Sequence, residues 1–434
     1  MSPEVTGIVG IGVLILMFLF RMPVAFAMAL VGLAGFAYIT GLDTALSILA
    51  RDIFEQFTSY PLSAIPMFIL MGSFAFAAGI SRRLYDTAYD WVGQFRGGLT
   101  MATVLGCAGF AAICGSSTAT AATMGKIALP EMKRYNYDDT LATGTVAAAG
   151  TLGVLIPPST ILLVYGFLTE ESIGKLFVAG VLPGALLSLL FVATVYVICL
   201  RNPAAGPPGA PTSWGEKLRA STGIIEAAVL FGLVIGGLFM GWFSPTKAGA
   251  IGAAGALVIG LARRELNWRK LWEASKDALR TSCMVLFIIA GAIVFGHFMA
   301  ISRIPFALAD WVGGLPLPTT GIVGVIILIF FIGGFFMDSM AMVVLLIPIF
   351  YPVLHNLGID LIWFGVLVVL VGEMGVITPP VGVNVFVIKG IAPEIPINKI
   401  WKGIFPFVIA LIICTIILMV FPQIATFLPS FARY

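Results

Sequence analysis

Two ten-residue stretches carry the residue types from which chemistry can be built. "GTLGVLIPPS" (150–159) and "GEMGVITPPV" (372–381) each set two glycines and a proline pair inside an apolar run long enough to cross a bilayer. Proline has no N–H, and its ring clashes with the carbonyl one turn earlier. Pro157 and Pro158 therefore free carbonyls around Gly153 and Val154, and Pro379 and Pro380 repeat the arrangement. Freed carbonyls can coordinate a cation, while a half-helix restarting after a break points its positive end at an anion such as a carboxylate. Two polar stretches accompany the breaks: "GSSTATAATMG" (115–125), rich in small and hydroxylated residues, and "GGFFMDSMAMVVLLIP" (333–348), which holds Asp338 and Ser339.

Ionisable residues at membrane depth are costly unless paired or hydrated. Asp338 either contributes to a cation site or hydrogen-bonds its own loop. Glu373, whose equivalent in the first break is Thr151, either contributes to a cation site or caps the second broken helix, and Asn384 either binds substrate or satisfies backbone. His297, alone on an apolar helix, reads as a packing residue. Catalysis finds little support: there are two histidines, no paired metal-ligand spacing, and hairpin serines without an evident base, so the chain reads as no enzyme. The five cysteines are scattered through apolar segments and read as packing residues.

The elements that must position these groups are membrane helices. Of 434 residues, 60% are apolar and 10% charged, against about 25% charged in a soluble domain. Spanning helices need about 20 apolar residues each. Such stretches lie near 5–20, 23–40, 61–80, 139–169, 174–200, 222–242, 246–262, 281–300, 360–388 and 403–422. The first lacks the basic flank of a cleavable signal and reads as a helix. A net charge of +3 gives no reason to expect a nucleic-acid partner.

A shift of 222 residues superposes the two halves of the chain. It puts one break motif on the other, Pro23 on Pro245, Pro130 on Pro352 and Asp138 on Asp360. Lys and Arg concentrate on cytoplasmic loops. Residues 81–140 hold six (Arg82, Arg83, Arg96, Lys126, Lys133, Arg134), and the equivalent 303–362 holds only Arg303. The preceding segments show the reverse bias: only Arg51 in 41–60, but six basic residues in 263–282. The expected architecture is all-α, with two inverted-topology repeats of five crossings each, over 1–200 and 222–434. A Pro/Gly-rich cytoplasmic linker without a fold of its own joins them at 201–221.

Each half then contains a re-entrant helical hairpin, at 98–132 with its tip at Gly115 to Thr118, and at 319–354. Each also contains a Pro-Pro-broken helix, at 139–169 and at 360–388. Open backbone at membrane depth is tolerated only where protein, water or ligand satisfies it. Paired interruptions in equivalent positions are the best sequence pointer to a midplane transport site.

"GSSTATAATMGKIALPEM" with "GTLGVLIPPS", and "GGFFMDSMAMVVLLIPIFYPV" with "GEMGVITPPVGVNVFV", resemble the large membrane subunit (DctM type) of tripartite ATP-independent periplasmic (TRAP) transporters over essentially the whole chain. The resemblance implies a sodium-driven importer of organic acids in the bacterial inner membrane. It would work by an elevator motion, with a separate small four-helix membrane subunit and a periplasmic solute-binding protein. It implies no cofactor beyond sodium as coupling ion. One sodium site would lie between Ser116, Ser117 and Thr118 and the stretch Gly150, Gly153 and Val154. The other would lie between Asp338 and Ser339 and the stretch Gly372, Gly375 and Thr378. Substrate would sit between the tips, against Ser116, Ser117, Thr118, Ser159, Ser339 and Asn384. The alternative is a self-sufficient sodium/dicarboxylate symporter with the same repeats and hairpins.

Coupling energy favours more than one cation. A tenfold gradient supplies about 1.4 kcal/mol, and each net charge crossing 100 mV adds about 2.3 kcal/mol. One sodium with a monocarboxylate is electroneutral, and a second makes import electrogenic.

Overall fold

The computed structural model describes residues 1–20, 22–314, 316–380 and 382–432; Val381, the last residue of the second break motif, lies outside them. Every regular element among the described residues is helical. Among the described residues six helices are long and apolar enough to cross a membrane, or up to eight if two bent pairs each count as one span. Length alone does not identify crossings. Ser339–Asn356 passes that test yet packs back against Thr319–Gly334, while Pro3–Leu19 and Val24–Thr40 are shorter.

Local chemistry fixes where the helices begin. Asp138 accepts from Leu141 N–H at 3.0 Å, and Asp360 from Ile362 and Trp363 N–H at 2.9 and 3.0 Å, so both broken segments start on an Asp cap. Such a cap contributes about 0.5–2 kcal/mol. The first segment comprises Asp139–Ala149, Leu152–Leu155 and, after the prolines, Thr160–Thr169. The second comprises Leu361–Ile377 and Val383–Ile391. Hairpin helices run Gly98–Cys114 and Ser117–Arg134, and Thr319–Gly334 and Ser339–Asn356.

Hydrogen bonds and ion pairs orient these segments. At one end, Tyr165 Oη donates to the Leu361 carbonyl at 2.7 Å, joining the finish of the first broken segment to the start of the second. At the other end, Lys133 meets Glu394 at 2.9 Å and Lys399 meets Asp139 at 3.0 Å. Asn384, after the second break, donates to the carbonyl of Ala147, before the first, so the two broken segments run antiparallel. The Lys133 ammonium also holds the Glu394 carboxyl below its ordinary range.

A second layer consists of Val24–Thr40 along Trp268–Ser302 and Ala64–Ala77 along Pro245–Ala262. Trp268–Ser302 begins earlier than the apolar stretch at 281–300. Asn267 caps it through Lys270 N–H at 2.8 Å, so the helix extends through the charged residues before the apolar part. His297 is not simple packing: its Nε2 lies 2.8 Å from the buried Asp52 Oδ2.

The linker expectation needs correcting. Trp214–Ala220 is a helix closed by a capping box between Ser213 and Glu216, a Ser-x-x-Glu signal present in the sequence. Its upstream stretch is fastened to the first hairpin and its flanks, with Gly97 N–H donating to Gly206 O at 2.9 Å and Asp138 N–H to Ala205 O at 3.0 Å. Backbone groups without a local partner are satisfied by that docking.

Candidate functional site

Both hairpin tips are built alike. Ser116 caps Ser117–Arg134 through Ala119 N–H at 3.4 Å, and Asp338 caps Ser339–Asn356 through Met340 and Ala341 N–H at 2.9 and 3.1 Å. Ser116 and Asp338 are 222 residues apart, as are Ser117 and Ser339. Asp338 thus makes the local loop bonds that the sequence left as one of its two readings, and it is also exposed to the cavity described below.

The tips dock on the breaks. Gly115 turns the chain at φ 68°, and its carbonyl accepts from Thr160 Oγ1 at 2.8 Å, just beyond the first proline pair. A Cβ on Gly153 would fall 2.5 Å from the Ser116 carbonyl oxygen, and one on Gly375 would fall 2.6 Å from Gly334 Cα. Only glycine allows these approaches. Gly150 and Gly372 lie against Ser117 and Ser339 respectively. Among the described residues the carbonyls of Gly153 and Val154 receive no hydrogen bond, because the donors one turn on would be Pro157 and Pro158. At the second break, Thr378 Oγ1 instead donates to the carbonyls of Met374 and Gly375 at 2.9 and 3.0 Å.

Between the tips and the second layer lies a cavity of about 680 Å³. Ser116, Ser117, Thr118, Val154, Asp338 and Ser339 line it; the opposite wall includes Gly72 and Ser73 of Ala64–Ala77 and Thr281 and Ile288 of Trp268–Ser302. It adjoins a smaller hollow lined by Glu265, Lys270 and Glu273.

Two residues that the sequence placed at the substrate do not line this cavity. Ser159 is 1% exposed and caps Thr160–Thr169 through Leu162 N–H at 3.1 Å. Asn384 is buried, and its side-chain amide donates to the Ala147 carbonyl at 3.2 Å, the backbone-satisfying alternative. Gly150, Gly153, Gly372, Gly375 and Thr378 stand behind the tips, and Pro157, Pro158, Pro379 and Pro380 shape the breaks.

Two further side chains reach the cavity, Glu373 and Lys126, and only the second was not among the candidate site residues. Glu373 is 1% exposed, and its Oε1 accepts from Ser339 Oγ at 2.8 Å. It is no helix cap: it ties the second tip to the second broken helix, with Ser117 facing the same carboxylate. Lys126 is the one basic side chain on the main cavity's wall among the described residues. Its signal was helical spacing: seven residues beyond Ala119 and four beyond Ala122, both on the cavity wall, it stands near the same face of the same helix.

A family model described as "Tripartite ATP-independent periplasmic transporter, DctM component" matches residues 11–424. The C4-dicarboxylate TRAP transporter large permease protein DctM of Pseudomonas aeruginosa is 37% identical, covering 88% of this chain and 89% of that protein. The sialic acid TRAP transporter permease protein SiaT of Haemophilus influenzae is 33% identical, covering 86% of this chain and 60% of that protein. Among solved structures, the YdaH transporter of Alcanivorax borkumensis superposes with a TM-score of 0.63 at 15% identity, over 88% of this chain and 89% of that one. That last likeness is one of fold.

Proposed function

The chain belongs to the DctM component family of tripartite ATP-independent periplasmic transporters, and on that premise we propose that it is the large permease subunit of a sodium-driven importer of an organic acid. It is a multi-pass membrane protein of a transporter family whose relatives are permeases. The observation that carries the site is the convergence of both hairpin tips on one cavity of about 680 Å³, a size suited to a small molecule.

In this reading the hairpins and broken helices form a body that slides against the layer containing Val24–Thr40 and Trp268–Ser302, the elevator motion of two inverted repeats. The cavity at their boundary supports it. Sodium at the first break would be held by the donorless carbonyls of Gly153 and Val154 with groups of Ser116 to Thr118. Sodium at the second would lie between Asp338 or Ser339 and Gly372 to Thr378. The substrate carboxylate would meet the tip hydroxyls and, toward the cytoplasmic mouth, Lys126. A small membrane subunit and a periplasmic binding protein would complete the inner-membrane transporter, as the tripartite family description suggests.

Reconstitution tests the proposal. The purified chain is placed in liposomes alone, with the small subunit, and with both that subunit and the binding protein, under an inward sodium gradient. Uptake of a carboxylate only in the complete system is expected. Sodium-driven uptake by the chain alone would favour the self-sufficient symporter, and uptake indifferent to sodium would reject the coupling ion.

A further inference from the structure

The cavity presents an electrostatic problem to an anion. Between the tips its wall carries two carboxylates, Asp338 and Glu373, whereas Lys126 and the exposed Asp277 lie farther out. From Ser117 to Lys126 the helix rises roughly 13 Å. A carboxylate arriving between the tips would therefore face like charge first.

Glu373 is also incompletely satisfied. One carboxylate oxygen accepts from Ser339 Oγ at 2.8 Å, while Oε2 is buried without a hydrogen-bond partner among the described residues. A buried charge normally finds a counter-charge or a full set of donors. Among the described residues nothing adjacent supplies one: Asp338 adds like charge, and Ser117 offers a hydroxyl. Ser117 and Ser339 occupy equivalent positions in the two halves, yet both face this single carboxylate. The residue equivalent to Glu373, 222 positions earlier, is Thr151. Its hydroxyl donates to its own helix at the Ala148 carbonyl, at 2.6 Å. The junction at Glu373 therefore has no twin.

We propose that Glu373 Oε2 and the Ser117 hydroxyl hold a sodium ion between the two hairpin tips, a third cation beside the two break-associated sites. The inference rests on the sodium-driven carboxylate reading and deepens it. The chain supplies a carboxylate and a hydroxyl oxygen, and water or a substrate carboxylate supplies the remaining oxygens a hard cation requires. The ion neutralises the wall that would repel the substrate and gives the substrate's carboxylate a ligand position. Sodium must then bind before substrate. The position also joins both tips to the second broken helix, so that they move as one body when loaded.

Equilibrium binding of radioactive sodium to the purified full chain tests this without knowledge of the substrate. Wild type should bind three sodium ions, and Glu373→Gln should bind two, since glutamine keeps an oxygen for Ser339 but loses the charge. Glu373→Asp, which keeps the charge but draws it back from the Ser117 hydroxyl, should weaken one of the three sites about tenfold, which keeps the proposal open to refutation if the glutamine variant does not fold. Two ions in wild type, or three with unchanged affinities in both variants, would overturn the third site alone. Absence of any saturable sodium binding in wild type would overturn the sodium-driven reading beneath it.

Discussion

Tyr165 Oη donates to the carbonyl of Leu361 at 2.7 Å, fastening the end of the first broken helix to the beginning of the second. With Asn384, after the second break, donating to the Ala147 carbonyl before the first, that contact makes the two segments antiparallel. Their loops should then emerge on different faces of the membrane. Single cysteines replacing Tyr135 and Leu357, in a background without native cysteines, are expected to react with an impermeant thiol reagent from opposite sides. Labelling of both from one side would refute the inverted arrangement.

Asp338 has two separable roles. Its side chain caps Ser339–Asn356, so Asp338→Ala should cost about 0.5–2 kcal/mol of stability. Asp338→Asn preserves a capping oxygen and should leave thermal unfolding nearly unchanged. If the aspartate also supplies charge to a sodium site, the asparagine variant will still require more sodium for half-maximal uptake. Equal sodium dependence in wild type and Asp338→Asn would leave the residue a cap alone.

Lys126 is the basic group available to a carboxylate on the cavity wall. A hydrogen bond to a charged group contributes about 1.5–3 kcal/mol, an upper bound here because the side chain is exposed and screened. Lys126→Gln should raise the KM for substrate by up to about tenfold, with more effect at low salt, while the unfolding temperature stays put. An unchanged KM at every ionic strength would remove Lys126 from the substrate path.

Gly375 and Gly334 meet backbone to backbone where the second hairpin lies on its broken helix. Gly375→Ala inserts a methyl group 2.6 Å from Gly334 Cα, and such overpacking costs about 1–3 kcal/mol. The hairpin is expected to shift, lowering both the unfolding temperature and the transport rate. Gly12→Ala, with nothing within 4 Å of the added Cβ, is the control that should change neither.

Backbone chemistry made much of this molecule legible before any coordinates. Prolines without N–H groups dictate where a membrane helix must break, Asp138 and Asp360 announce helix starts, and low charge with long apolar runs dictates a membrane environment. These are local properties, carried by a residue and its near neighbours. Even the linker helix was signalled, by Ser213 and Glu216, although the surrounding prolines and glycines obscured it.

What the tertiary structure decided is which side chain meets which partner across distance. Ser159 and Asn384 have the right types for substrate binding, yet the fold turns one into a cap and spends the other on a carbonyl 237 residues away. Glu373 reads in sequence as a cation ligand or a cap, and becomes a junction because a serine 34 residues earlier folds back onto it. Local sequence fixes backbone geometry through covalent structure and nearest-neighbour sterics. The surroundings of a buried polar group depend on how whole helices pack, and that depends on every residue at their interfaces.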